Sequence, residues 1–267
     1  MQIIVNNKNL FEDFKNMLCK GKGTLFNTIC LHSPKGRGKT TVINYFAEYC
    51  LENNIDCSTI DFNEDYHSFV HTKDLLDNII WGLQSPTNEI LFTNYEKEVN
   101  EWLNRQSNPE LVIEKSIMVN TSIGPTFINS DIQSQDKHYS QTLMKAFLKD
   151  IKLITRKVVI FIDHFELAPE EIQIAIVSHL LQKDFLRPNT FLVLATEKEI
   201  PINTSARNSN HIKLTHLPAE YHYNDWKVFC EKMYVDEKLL KPIYDTYKSD
   251  PLSMRIALKP HERSLIK

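Results

Sequence analysis

Apolar residues along this chain recur with two alternating spacings. Leu10, Phe11, Phe14, Met17 and Leu18 fall at helical intervals and predict a lead-in helix that ends in the polar turn Lys20-Gly21-Lys22-Gly23. Asn27 to His32 is a short apolar run of the kind a buried strand shows. A glycine-containing loop follows, and Thr41-Val42-Ile43-Asn44-Tyr45-Phe46-Ala47 returns to the helical pattern. A second strand is predicted over Cys57 to Phe62, with helices over about 72–83 and about 91–105.

Between about 107 and 134 the periodicity weakens. Ile117-Met118-Val119 and Phe127-Ile128 flank the turn-like Thr121-Ser122-Ile123-Gly124-Pro125, so a β-hairpin insertion is expected there. Leu143, Phe147, Ile151 and Ile154 then mark a long helix, expected to end where Arg156-Lys157 suits the negative end of its dipole. Val158-Val159-Ile160-Phe161-Ile162 has no polar alternation, as expected of a central parallel strand covered on both faces. Proline and acids at Pro169-Glu170-Glu171 open another helix. Phe191 to Ala195 and His211 to Leu214 are further strands, and helices are expected over Tyr223 to Met233, Glu237 to Tyr247 and from Pro251.

Strands alternating with helices give an α/β fold: a doubly wound, mainly parallel five-stranded sheet with a small C-terminal helical subdomain. The expected division is 1–218 for the α/β domain and 219–267 for the helical subdomain.

A chain of 267 residues, 42% apolar and 24% charged, can bury one substantial core with a small appended bundle. Its net charge of −3 gives no bulk electrostatic reason for a nucleic-acid or anionic-membrane partner. Five scattered cysteines without C-x-x-C spacing argue against a disulfide framework or a zinc ribbon and fit a reducing compartment. No run approaches the roughly 18 apolar residues a membrane span needs, and no leader pattern opens the chain, so a cytoplasmic location is expected.

The strand–loop–helix at 27–47 carries Ser33-Pro34-Lys35-Gly36-Arg37-Gly38-Lys39-Thr40-Thr41. This is close to the phosphate-binding pattern G-x-x-x-x-G-K-[ST], with Ser33 in place of the first glycine. Consecutive backbone N–H groups and a helix N-terminus would wrap a β-phosphate. Gly36 and Gly38 would let the backbone approach closely. Lys39 would reach phosphate oxygens and the Thr40 hydroxyl a Mg²⁺ ion. Such a site needs a carboxylate from an adjacent strand, and Asp163, at the end of the most apolar strand, is expected beside Thr40. Glu166, three residues on, is the candidate for polarising water. ATP or ADP with Mg²⁺ is therefore the expected ligand. His164 between the two acids reads as a surface histidine at a strand end.

Taken together these motifs resemble the signal-transduction ATPases with numerous domains, the STAND class that includes NACHT and NB-ARC modules. Lys35-Gly36-Arg37-Gly38-Lys39-Thr40-Thr41 is similar to that class's phosphate loop, and Asp163-His164-Phe165-Glu166 to its acidic motif. The resemblance implies a γ-phosphate-sensing arginine after the strand at 191–195, where this chain has Thr196-Glu197-Lys198, so that Lys198 would stand in for it. It also implies that Ser249-Asp250-Pro251-Leu252 serves as a G-x-P-L turn on the adenine side, with Pro251 at the nucleotide. The arginine and acids expected before the lead-in helix are missing from Val5-Asn6-Asn7-Lys8-Asn9. A winged-helix domain and sensor repeats would follow the nucleotide domain, and the sequence stops at Lys267, as a nucleotide domain alone or a compact relative would. By resemblance, the expected role is a nucleotide-dependent switch, slow in hydrolysis, that self-associates or engages protein partners in immune or antiphage defence. A non-hydrolysing nucleotide-binding scaffold and an AAA+-type helper of DNA transactions are the alternatives.

His67 and His71 lie four apart, but the H-E-x-x-H pattern is missing and zinc is not expected. Arg207 falls where oligomeric ATPases place an arginine finger, although a solvated loop arginine is the plainer reading. Tyr221, Tyr223, Trp226 and Phe229 are expected to pack the C-terminal helices against the sheet.

Overall fold

The computed structural model describes residues 8–19, 26–63, 69–84, 92–107, 128–182, 189–200, 211–218, 222–232, 235–247 and 250–261. Five strands form one parallel sheet: β1 (Thr28–His32), β2 (Asp56–Asp61), β3 (Val158–Asp163), β4 (Thr190–Thr196) and β5 (Ile212–His216). Their order across the sheet is β2-β3-β4-β1-β5. β3 therefore does not pair with β1, as an adjacent-strand carboxylate would require; β4 lies between them.

Alternation along the strands divides the core into two layers, because successive side chains of a pleated strand point to opposite faces. Ile29, Leu31, Val159, Phe161, Phe191 and Val193 face the layer formed with α1 (Lys8–Cys19) and α2 (Lys39–Glu52). There Phe14 stacks on Phe46 with ring centroids 4.0 Å apart. Cys30, Val158, Ile160, Ile162, Leu192 and Leu194 face the opposite layer. That layer contains α3 (Thr72–Leu83), α4 (Thr93–Ser107), α5 (Ile128–Ile151) and α6 (Glu170–Ala175), the last continued by a π-helical turn over Ile176–Leu180. Covering on both faces is why β3 and β4 are buried along their whole length.

Three carboxylates tie these elements together. Asp150 accepts from Asn94 Nδ2 at 2.6 Å and from the Tyr95 N–H at 2.8 Å, joining α5 to the start of α4. Glu171 Oε1 accepts from the hydroxyls of Thr72 and Ser140, both at 2.8 Å, so α6 holds α3 and α5. Arg156 pairs with Asp56, linking the start of β2 to the segment before β3.

The last three helices are α7 (Tyr223–Lys232), α8 (Glu237–Tyr247) and α9 (Pro251–Leu258). They enclose a core of their own made of Trp226, Cys230, Val235, Leu240, Met254 and Leu258.

Several boundaries differ from the sequence reading. α5 ends at Ile151, since turns at Leu153 and Ile154 close the chain back on Asp150 and Ile151. Arg156 is thus drawn to Asp56 and lies beyond the helix end it was expected to cap. The expected hairpin at 107–134 lies mostly outside the described residues, but Ile128 opens α5 and is helical. Trp226 packs within the C-terminal bundle rather than against the sheet, and Tyr223 meets Tyr244 edge to face at 5.3 Å. Among the described residues, no helix is long and apolar enough to cross a membrane.

Candidate nucleotide-binding site

All five strands run in the same direction, so their C-terminal ends share one rim of the sheet. The expected loop emerges there from β1. Gly36 and Gly38 adopt φ of +82° and +88°, which L side chains rarely take, and Gly38 caps the start of α2. The Ser33 N–H donates to the carbonyl of Thr196 at 3.2 Å, anchoring the loop to β4. Pro34 and Lys35 are exposed, whereas Ser33 and Lys39 are buried and Thr40 and Thr41 partly so.

The Lys39 ammonium folds back over the loop. Its Nζ donates to the carbonyls of Ser33 at 2.6 Å and Pro34 at 3.0 Å and lies 3.8 Å from Glu197 Oε1. Burial lowers the pKa of Lys39, while Glu197, Glu166 and Asp163 favour its charged form. One cation thus stands among three carboxylates that come from two different strand ends.

Asp163 closes β3 at 2% exposure. Its Oδ1 accepts from the backbone N–H of His164 at 2.9 Å, and Oδ2 is buried with no hydrogen-bond partner. Burial raises the pKa of its carboxyl, opposed by the nearby Thr40 hydroxyl, by the imidazole of His164 and by the His164 N–H; nearby Asp61 adds to the rise. The expectation of Asp163 beside Thr40 therefore agrees with the structure, although α2, not a shared strand edge, makes the approach.

A buried carboxylate oxygen without a partner and a threonine hydroxyl beside it are the oxygen donors a hard divalent cation takes. The residues present fit a Mg²⁺ ion, which Thr40 and Asp163 would hold. The two left-handed glycines and the α2 N-terminus likewise fit a phosphate.

Glu166 sits in a 3₁₀ turn, Phe165–Leu167, directly after β3. Its Oε2 accepts from the Glu197 N–H at 3.0 Å, which fixes the carboxylate across the rim from Lys39. Lys198 is exposed, and its backbone is held by the Thr196 hydroxyl, its N–H donating at 3.1 Å and its carbonyl accepting at 3.0 Å. The residue after β4 that contacts Lys39 is therefore Glu197, which the sequence reading did not single out.

His164 is no ordinary surface residue. Its backbone is left-handed at φ +51°, its side chain is 22% exposed, and its Nδ1 lies 2.8 Å from Asp61 Oδ1 at the end of β2. Asp61 pairs in register with Asp163, so the three side chains meet, their ligating atoms all within 4.8 Å of one another.

The C-terminal helices reach the loop. Asp250 caps α9 by accepting from the Ser253 N–H at 2.9 Å and lies 3.6 Å from Arg37. A Cβ built on Gly36 would stand 3.0 Å from the Cβ of Leu252. The described part of the expected G-x-P-L turn therefore packs on the phosphate loop, with Pro251 buried behind it.

Arg207, His67, Tyr221, Ser249, the Lys20–Gly23 turn and Val5–Asn7 lie outside the described residues. His71 Nδ1 faces Glu171 Oε2 at 3.8 Å.

A family model described as the KAP family P-loop domain matches residues 7–220. No curated protein matches the sequence. Among solved structures, Cdc6p from Pyrobaculum aerophilum is similar at 10% identity and a TM-score of 0.55, covering 97% of this chain and 60% of that one. AMPPCP-bound DnaA from Aquifex aeolicus is similar at 10% identity and a TM-score of 0.50, covering 96% of this chain and 61% of that one. The chain thus spans about three-fifths of these relatives, and the likeness is one of fold.

Proposed function

Because the chain belongs to the KAP family of P-loop domains, we propose that it binds ATP and ADP with Mg²⁺ and works as a nucleotide-dependent switch whose hydrolysis is slow. The observation that carries this reading is the meeting of the Lys39 ammonium, the Thr40 hydroxyl and the half-satisfied Asp163 carboxylate on one rim of the sheet. Each has the charge or donor character that a polyphosphate and its cation require.

In this reading the N–H groups from about Lys35 to Thr41 hold the β-phosphate, and Lys39 leaves the carbonyls of Ser33 and Pro34 to pair with phosphate oxygens. Thr40 and Asp163 hold the cation, which supplies positive charge against the phosphate oxygens. Glu166, with Oε2 engaged by the Glu197 N–H, uses Oε1 to orient water and take its proton as the water oxygen bonds to the γ-phosphorus and the bond from that phosphorus to the β,γ-bridging oxygen breaks, so that ADP leaves with the bond's electrons and phosphate is released. Glu197 holds Lys39 when phosphate does not, and so competes with nucleotide for the same ammonium. That competition favours slow exchange and a two-position switch over rapid turnover.

The STAND-like role, in which nucleotide state governs self-association or a protein partner, is supported by the contact of α9 with Gly36 and Arg37. Nucleotide in the loop would press directly on the C-terminal helices. A second reading, an AAA+-type helper of DNA transactions, draws on the fold shared with Cdc6p and DnaA, the latter solved with an ATP analogue.

The deciding experiment is to denature the purified protein and identify released nucleotide, then follow single-turnover ATP hydrolysis. Bound ADP or ATP is expected, lost in Lys39→Ala, with turnover abolished but binding kept in Glu166→Gln. Indifference to millimolar ATP and ADP would sink the proposal, and salt-sensitive DNA binding at physiological ionic strength would favour the second reading.

A further inference from the structure

We infer that Asp61 and His164 are positioning residues for the cation-holding carboxylate: their hydrogen bond fixes the backbone at 164, which fixes the rotamer of Asp163 and leaves its Oδ2 without a protein partner. This deepens the proposal above and rests on its assignment of Asp163 to the Mg²⁺ side of the site.

Four observations carry it. Asp61 and Asp163 end neighbouring parallel strands in register, so their side chains emerge at the same level of the rim. His164 Nδ1 meets Asp61 Oδ1 at 2.8 Å, a full hydrogen bond between two strand ends. His164 is one of two described non-glycine residues with positive φ, a conformation that costs free energy and persists where the surroundings enforce it. In that conformation its N–H turns back to donate to Asp163 Oδ1 at 2.9 Å. One oxygen of the buried carboxylate is thereby occupied, and the other, Oδ2, is unpartnered.

The chain of dependence runs one way. The His164 carbonyl also accepts from the Leu167 N–H at 2.8 Å, but the Asp61 bond is what tethers its side chain, and without that tether relaxation towards ordinary backbone angles would swing its N–H away from Asp163. Asp163 would then be free to rotate, and its unpartnered Oδ2 would no longer hold a fixed position on the rim. Partners that orient a metal-holding group from behind it typically change metal affinity by roughly 10- to 100-fold when removed.

The inference is tested by measuring the affinity of the full chain for a fluorescent ADP analogue, in EDTA and across a Mg²⁺ titration. Asp61→Ala, Asp61→Asn and His164→Gly are compared with the unsubstituted protein. Asparagine keeps an oxygen for the His164 Nδ1–H; glycine tolerates φ +51° without strain but, lacking the imidazole tether, no longer holds the backbone there, so His164→Gly removes the tether without adding strain. The expected result is affinity in EDTA within about twofold for all, since the phosphate loop is untouched. The Mg²⁺ midpoint should rise roughly 10- to 100-fold in Asp61→Ala and His164→Gly and return towards the unsubstituted value in Asp61→Asn.

An unchanged midpoint in the two disruptive variants, with nucleotide still bound, overturns the inference and leaves the proposed function standing. A midpoint in Asp61→Asn as poor as in Asp61→Ala also overturns it, because charge at Asp61 and not its hydrogen bond would then be at work. No nucleotide binding by the unsubstituted protein in either buffer overturns the proposed function and, with it, this inference.

Discussion

Replacing Gly36 with alanine puts the contact between the phosphate loop and the last helix to a quantitative test. At φ +82° an L residue carries a left-handed penalty of about 1–2 kcal/mol. The added methyl would also stand 3.0 Å from Leu252 Cβ, 3.2 Å from its Cδ2 and 3.6 Å from its Cγ. A rotamer change clears Cγ and Cδ2, but the Cβ moves only with the α9 backbone. Overpacking of this kind costs roughly 1–3 kcal/mol, while stiffening the unfolded chain returns about 0.4–1 kcal/mol. The expected net loss is roughly 1–4.5 kcal/mol.

Urea unfolding of Gly36→Ala, Leu252→Gly and the double variant, followed by tryptophan fluorescence, separates the two contributions. Trp226 reports from the C-terminal core, and Trp102, stacked on Tyr139 at 4.6 Å, from the α4–α5 layer. The backbone penalty should survive in the double variant, and the steric part should appear as a coupling on the order of 1–3 kcal/mol. A loss under about 0.5 kcal/mol with no coupling would refute the reasoning.

Three further outcomes are expected. Asp163→Asn should raise the unfolding midpoint of the nucleotide-free protein at pH 7 while removing its response to Mg²⁺. The folded carboxyl titrates above its usual 3.8, so ionised Asp163 lowers stability above that pH; the advantage of asparagine should disappear in more acid solution, and scanning fluorimetry across pH checks the sign. Asp250→Ala should cost about 1 kcal/mol by uncapping α9, whereas Asp250→Asn, which keeps the cap and loses only the 3.6 Å pair with Arg37, should cost under about 0.5 kcal/mol; equal losses by denaturation would contradict this. Glu171 is pushed upward by burial, but hydrogen bonds from Ser140 and Thr72 outweigh it and hold the folded carboxyl below its usual 4.5. Its stabilisation is present above that value and lost as pH falls through the folded pKa, so Glu171→Gln should flatten the acid limb of the stability profile.

The features legible in the sequence were those set by one stretch of chain. The unbroken apolar run at 158–162 is buried along its length as expected, and glycines at 36 and 38 sit where the loop demands left-handed backbone. Features set by juxtaposition were not legible. Asp61 is an acid at a strand end like several others, and its bond to His164 depends on β2 and β3 being neighbours in register. Glu197 and Lys198 are adjacent charged residues that no local pattern ranks, and which of the two turns towards Lys39 depends on how Thr196 ties down the backbone at 198. The end of α5 was misplaced because Arg156 suits a helix terminus, while Asp56, a hundred residues earlier, offers it a closer charge.

The seat of Leu252 against Gly36 makes the front of α9 a floor beneath the anion pocket. Backbone movement there meets the helix within a few tenths of an ångström, and Met254 and Leu258 anchor that helix among Trp226, Cys230 and Leu240. A side chain added at residue 36 would therefore be felt as far as the interior of the terminal bundle.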